Sequence, residues 1–131
     1  MEFKEKKGIY LQIAETLMER FLDGPLSRDG GGLEEEERVP SIRETAEEFG
    51  VNPNTVMRSY AFLQELEIIQ NRRGIGYFIT PQGIRNALEW KKREFIRGVL
   101  PGVFRAMDLL EMNPADLETL YREYTRKEGR T

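Results

Sequence analysis

The 131-residue sequence contains neither cysteine nor histidine. The first absence removes disulfides, thiolate nucleophiles and cysteine-built zinc fingers together. The second removes the imidazole base and the commonest transition-metal ligand, so no metal site and no cofactor are expected. Carboxylates, lysines, tyrosines and hydroxyls remain for chemistry, and they form no nucleophile–base constellation, which sets an enzyme last among the functional readings. There is also no apolar run near the roughly 20 residues that cross a bilayer, and the opening MEFKEKKGIY lacks the apolar core of a signal peptide. A cytoplasmic protein without a membrane partner is expected. The acid–base balance is nearly even, 20 Lys and Arg against 23 Asp and Glu. That argues against a nonspecific coat on nucleic acid but leaves open a local basic surface.

Ile9, Ile13, Leu17 and Phe21 recur at four-residue steps, with Tyr10, Ala14 and Met18 one step round, which predicts a helix with one buried stripe ending near Gly24-Pro25. The segment that follows, with Gly30 to Gly32 and Glu34 to Glu37, has no apolar mass and reads as a surface loop. No Gly-Lys-Ser/Thr follows its glycines, so it does not match a phosphate cradle.

Ser41 with Glu44 three residues on makes a capping box, and Ile42, Thr45, Ala46 and Phe49 form the inner face of a short helix that Gly50 ends in a left-handed conformation. Asn52 then caps a further helix, with Pro53 at a position where no intrahelical N–H is needed. Val56, Tyr60, Leu63 and Leu66 are its buried stripe, leaving Asn54, Thr55, Arg58 and Ala61 toward solvent. Residues 67–71 and 76–80 are β-branched and aromatic enough to pair across Arg72-Arg73-Gly74-Ile75 as a hairpin with a basic tip. Thr80-Pro81 reads as the start of a helix to about Arg97, Pro101-Gly102 as an interruption, and Asn113-Pro114 as the cap of a last helix.

The order helix, tight turn, helix, hairpin is a winged helix-turn-helix in a mostly α fold with a small β-hairpin. A major groove about 12 Å wide admits one helix, whose polar start would reach base edges while the basic hairpin holds the backbone. Three stretches now carry a resemblance: Val39-Pro40-Ser41-Ile42-Arg43-Glu44-Thr45-Ala46, Gly50-Val51-Asn52-Pro53-Asn54-Thr55-Val56, and Arg72-Arg73-Gly74-Ile75-Gly76-Tyr77-Phe78. In that order and spacing they resemble the DNA-binding domain of GntR-type bacterial transcription regulators. The resemblance implies that Arg43 meets phosphate or base, that Asn52, Asn54 and Thr55 enter the groove with Arg58 supporting the backbone contact, and that Arg72 and Arg73 bind DNA while Gly74 and Gly76 let the tip approach. Each position also has a plainer reading: capping for Asn52, an Arg43–Glu47 pair, solvated charge at the hairpin tip. Glu67 stands where the family commonly has glycine, and Met57 where many members have arginine.

Residues 1–80 are thus expected to form the DNA-binding domain and 81–131 a helical dimerisation region, resembling the family branch with a short C-terminal helical unit. A bare helix pair cannot bury Leu88, Phe95, Val103, Phe104, Met107, Leu110, Leu117, Leu120, Tyr121 and Tyr124 internally, and a homodimer interface is the economical place for them. The expected function is a dimeric repressor on a palindromic double-stranded operator, the resemblance pointing to a transporter operon. The sequence names no small-molecule effector. The alternative is a winged-helix module for protein–protein contact, and Trp90 beside Lys91, Lys92 and Arg93 leaves a lesser alternative of a base-stacking platform.

Overall fold

The structure, a computed structural model, describes residues 8–24 and 37–129. Lys4, Lys6, Lys7, the Gly30–Gly32 triplet and Glu34 to Glu36 lie outside these residues. In chain order the elements are α1 (Ile9–Leu22), β1 (Arg38–Val39), α2 (Ile42–Phe49), α3 (Pro53–Glu65), β2 (Ile69–Arg72), β3 (Gly76–Ile79), α4 (Gly83–Gly98), α5 (Leu100–Leu109) and α6 (Pro114–Lys127). The fold is therefore mostly helical with a small antiparallel sheet in the strand order β1-β3-β2. The expected hairpin is present, and β1 adds a third strand to it.

Local chemistry sets the helix boundaries. Ser41 Oγ accepts from the Glu44 N–H at 3.1 Å and Glu44 Oε1 accepts from the Ser41 N–H at 2.8 Å, which completes the capping box of α2. Those bonds hold the Glu44 carboxyl below the usual carboxylate range. Gly50 ends α2 at φ +65°, a region a side chain rarely enters. Asn52 sits in extended conformation and its Oδ1 accepts from the Asn54 N–H at 2.7 Å, starting α3 with Pro53 in the first turn.

The core is formed by stripes from α1 and α3, with Ala46 of α2 and Ala87 of α4, against the inner face of the sheet. Ile13, Leu17, Met18 and Phe21 of α1 meet Val56, Tyr60 and Leu63 of α3 together with Val39, Ile68, Ile69 and Ile79. Two details differ from the periodic reading. Ile9 is 58% exposed, because the first residue of a helix has no preceding turn to shield it. Ser59 is buried between the apolar positions, and its hydroxyl donates to the Tyr10 carbonyl at 2.7 Å, which removes the cost of an unsatisfied polar group.

The junction after α3 is built on Glu67, which has φ +59°, so the glycine-like position is occupied by a strained residue. The Glu67 carbonyl accepts from Thr80 Oγ1 at 2.7 Å and from Asn86 Nδ2 at 3.1 Å. Thr80 is thereby engaged in holding the sheet and does not cap α4, which begins three residues later at Gly83 and not at Pro81. Gly83 is required by space: a Cβ there would collide with the Ile68 carbonyl and stand 2.8 Å from Ile79 Cγ2. The second break also moves. Pro101 lies in the first turn of α5 and the interruption falls at Val99, since a proline ring clashes with the carbonyl four residues before it.

Two compact units divide after Lys91. The first contains α1–α3, the sheet and the first half of α4, where Ala87 is fully buried and Lys91 Nζ pairs with Glu19 at 2.8 Å and Glu15 at 3.4 Å. The second contains α5 and α6, with Asn113 and Asp116 forming the expected cap of α6, and no residue of either helix is buried. Among the described residues no helix is long and apolar enough to cross a membrane.

Two substitutions report on the strained and crowded positions in opposite directions. Gly83→Ala is expected to lower stability by about 2 kcal/mol through overpacking, and Glu67→Gly to raise it by about 1 kcal/mol by removing left-handed strain. Urea unfolding midpoints check both, and identical midpoints for the three proteins would contradict this reading of the junction.

Candidate nucleic-acid interface

The start of α3 presents polar groups because its cap and its stripe are both fixed. With Val56, Ser59, Tyr60 and Leu63 turned inward, Asn54 and Arg58 lie one turn apart on the opposite, exposed side, and Thr55 is half-buried beside them. Met57, 53% exposed, occupies the same side. Asn52 both caps the helix and remains exposed. The positive end of the helix dipole at this end favours an anion. Arg58 does not stand clear of the body: its guanidinium lies 4.1 Å from the centroid of the Tyr10 ring. Arg43 is exposed on the first turn of α2, and no ion pair joins it to Glu47.

The wing follows from the register of its strands. Arg38 is opposite Phe78, Val39 opposite Tyr77, Gln70 opposite Phe78 and Arg72 opposite Gly76. Alternation across the pleat then separates two faces. Val39, Ile69 and Ile79 face the core, and Arg38, Phe78 and Arg72 face outward. Both guanidinium groups lie over the same ring, Arg72 at 4.7 Å and Arg38 at 5.8 Å from the Phe78 centroid. Arg38 also donates from Nη2 to the Ile75 carbonyl at 2.6 Å. At the tip the Ile75 N–H donates to the Arg72 carbonyl at 2.8 Å, with Gly74 at φ +78° and Gly76 at φ +142°. The wing thus brings together Arg72, Arg73, Gly74 and Gly76 as expected and adds Arg38, which a two-residue strand beside a loop does not announce by any periodicity.

One buried side chain ties these parts to each other. Tyr60 of α3 donates its hydroxyl to the Pro40 carbonyl at 2.6 Å, which leaves Thr45 of α2 as the donor to the same oxygen at 2.7 Å. Its ring meets Tyr77 of β3 edge to face at 4.9 Å. Burial pushes the Tyr60 phenol above its ordinary value, so it stays protonated and able to donate. Arg20 of α1 grips Glu48 of α2 through both carboxylate oxygens and holds that carboxyl below the usual range. Trp90 is half-buried with its ring edge-on to Phe62 at 5.6 Å, which engages it in packing. Among the described residues no cluster of acidic side chains is arranged to hold a metal ion.

Removing the Tyr60 hydroxyl leaves a buried threonine and a carbonyl short of a partner, so Tyr60→Phe is expected to cost about 2 kcal/mol of unfolding free energy. Chemical denaturation measures this, and a change below about 0.5 kcal/mol would show that the hydroxyl is not a structural tie.

The comparisons with known proteins agree with this geometry. The model of the gntR family of bacterial regulatory proteins matches residues 9–79. The chain is similar to the HTH-type transcriptional regulator YhcF of Bacillus subtilis, with 32% identity over 116 residues and 88% of each chain covered. It is also similar to the HTH-type transcriptional repressor YtrA of the same organism, 34% identical over 83 residues, covering 63% of this chain and 58% of that one. Among solved structures it is similar to a GntR-family transcriptional regulator from Bacteroides thetaiotaomicron, with 36% identity, a TM-score of 0.69 and 92% and 99% of the two chains covered. A match spanning α1 through β3, with similar relatives over nearly the whole chain, means that this protein belongs to the GntR family of bacterial transcription regulators, which bind DNA and are not enzymes.

Proposed function

We propose that the protein is a repressor that binds a palindromic operator as a homodimer. The observation that carries the DNA-facing half is the exposed polar start of α3 on the same body as a wing whose outer face is basic. In this reading Asn52, Asn54 and Thr55 approach base edges, Arg43 and Arg58 engage phosphates, and Arg72 and Arg73, with Gly74 and Gly76 at the tip, hold the adjacent backbone. Residues 1–80 carry these contacts and residues 81–131 the dimer. The repressor assignment leans on the relative YtrA, itself a repressor. Control of a transporter operon, in the cytoplasm, follows from the family resemblance.

The dimer is supported by what α5 and α6 leave uncovered. Phe104 is 53% exposed, Leu110 68%, Leu120 51% and Tyr121 66%, and none of the two helices' side chains is buried. Leu88, Phe95, Val103, Met107, Leu117 and Tyr124 are likewise exposed or only half-buried, and Ile96, Val99 and Leu109 extend the uncovered set beyond the residues expected from sequence. A segment of this size without a core is not self-sufficient. A second copy supplies the missing cover and sets two α3 helices about 34 Å apart, the spacing of successive major grooves on one side of a duplex.

Selection of bound genomic fragments, followed by titration of the selected duplex over a salt series, tests this directly. Arg72→Ala with Arg73→Ala is expected to make the slope of log K against log salt shallower by about 3.6, two contacts in each of two protomers at about 0.9 each. A wing used only for protein contact would leave duplex affinity and slope unaltered. Phe104→Glu with Leu120→Glu is expected to give a monomer in sedimentation and about hundredfold weaker operator binding through lost bivalency. A native protein that sediments as a monomer at micromolar concentration would overturn the dimer. Asn52→Asp should separate the two duties of that residue. Aspartate caps as well as asparagine, so stability should change by less than about 0.5 kcal/mol, while the added negative charge should weaken duplex binding at least about tenfold.

A further inference from the structure

We infer that Arg38 is a positioning residue that sets the pose of the wing tip, and so governs whatever contacts Arg72 and Arg73 make. The inference rests on the reading of the wing as a DNA-contacting element. Arg38 lies on β1, outside the hairpin, yet it touches the hairpin at two separate places: its Nη2 holds the Ile75 carbonyl at 2.6 Å, and its guanidinium lies over the Phe78 ring. That ring is shared with Arg72, so one aromatic face aligns both cations. Arg38 also bounds the space above the tip, since a Cβ on Gly76 would stand 3.0 Å from Nη2.

The arrangement has a mechanical consequence. A four-residue turn with one glycine inside it and another just after it, both at positive φ, has little stiffness of its own, because glycine reaches other conformations readily. The hairpin ladder ends at Arg72 and Gly76. Beyond that pair, an internal turn bond and the Arg38 bond to the Ile75 carbonyl hold the tip among the described residues. A bond from outside the hairpin presets the tip before any duplex arrives and lowers the ordering cost of binding. The planar guanidinium is suited to this because it stacks with its face while donating with its edge, which an ammonium group does not do.

Arg38→Ala and Arg38→Lys, compared with wild type and with Arg72→Ala/Arg73→Ala on a duplex of about 30 base pairs spanning two half-sites, test the inference. If Arg38 positions the wing, Arg38→Ala makes the salt slope of the dimer shallower by about 3.6, twice the about 1.8 of one independent contact per protomer. Arg38→Lys then shows most of the same loss although it keeps the charge, and adding Arg38→Ala to the double wing variant weakens binding little further. A slope change of about 1.8 that lysine restores would make Arg38 one independent phosphate contact in each protomer and overturn the inference; no change would overturn it as well. Unaltered binding by the double wing variant would remove both this inference and the reading of the wing it rests on, whereas failure of the Arg38 variants alone removes only this one. Thermal melting of each variant reports folding, and because Arg38 is exposed the melting temperatures are expected to stay close to wild type.

Discussion

The winged-helix body depends on a single buried phenol. Tyr60 is the residue through which α2, α3, the end of β1 and the wing are held in one arrangement, by two hydrogen bonds and one edge-to-face ring contact. Each partner comes from a different element: Thr45 from α2, the Pro40 carbonyl from the end of β1 and Tyr77 from β3. In a low-dielectric site such bonds are directional as well as stabilising, so the angle at which α3 leaves the body is specified rather than merely permitted. Apolar packing alone would keep Val56 and Leu63 inside without fixing that angle.

The chain tolerates strain where geometry demands it. Glu67 occupies a left-handed conformation at the end of α3, and its carbonyl is then placed to receive Thr80 and Asn86. Gly83 lets α4 start against the base of the sheet. An overall negative charge is compatible with a DNA-binding surface because several acids are already engaged: Glu44 in a cap, Glu48 with Arg20, Glu15 and Glu19 with Lys91. The exposed arginines of the wing and of the α3 face add a local cationic field that favours a duplex.

How much of this was legible in the sequence depended on whether a feature is local. Ser41 with Glu44, Gly50, Asn52 with Pro53 and Asn113 with Pro114 announce helix ends by chemistry confined to a few neighbouring residues, and all four ends lie where they were expected. The recognition motif was legible for the same reason. Features set by distant partners were not: Thr80 reads as a cap until its bond to Glu67 is seen, and Ser59 gives no sign of burial without the Tyr10 carbonyl. Arg38 was missed because a two-residue strand has no period and its partners, Ile75 and Phe78, are about forty residues away along the chain. The excess apolar residues of α5 and α6 were visible as an excess, although composition alone does not say what covers them.

The central claim is that the start of α3 and the tip of the wing form one surface that meets a duplex together. Amide chemical-shift mapping during titration with the selected operator measures this residue by residue. Simultaneous perturbation of Asn52, Asn54 and Thr55 with Arg72, Arg73 and Gly74, at one common affinity, is the expected result. Perturbation of only one of the two groups, or of neither while the duplex is bound, would contradict it.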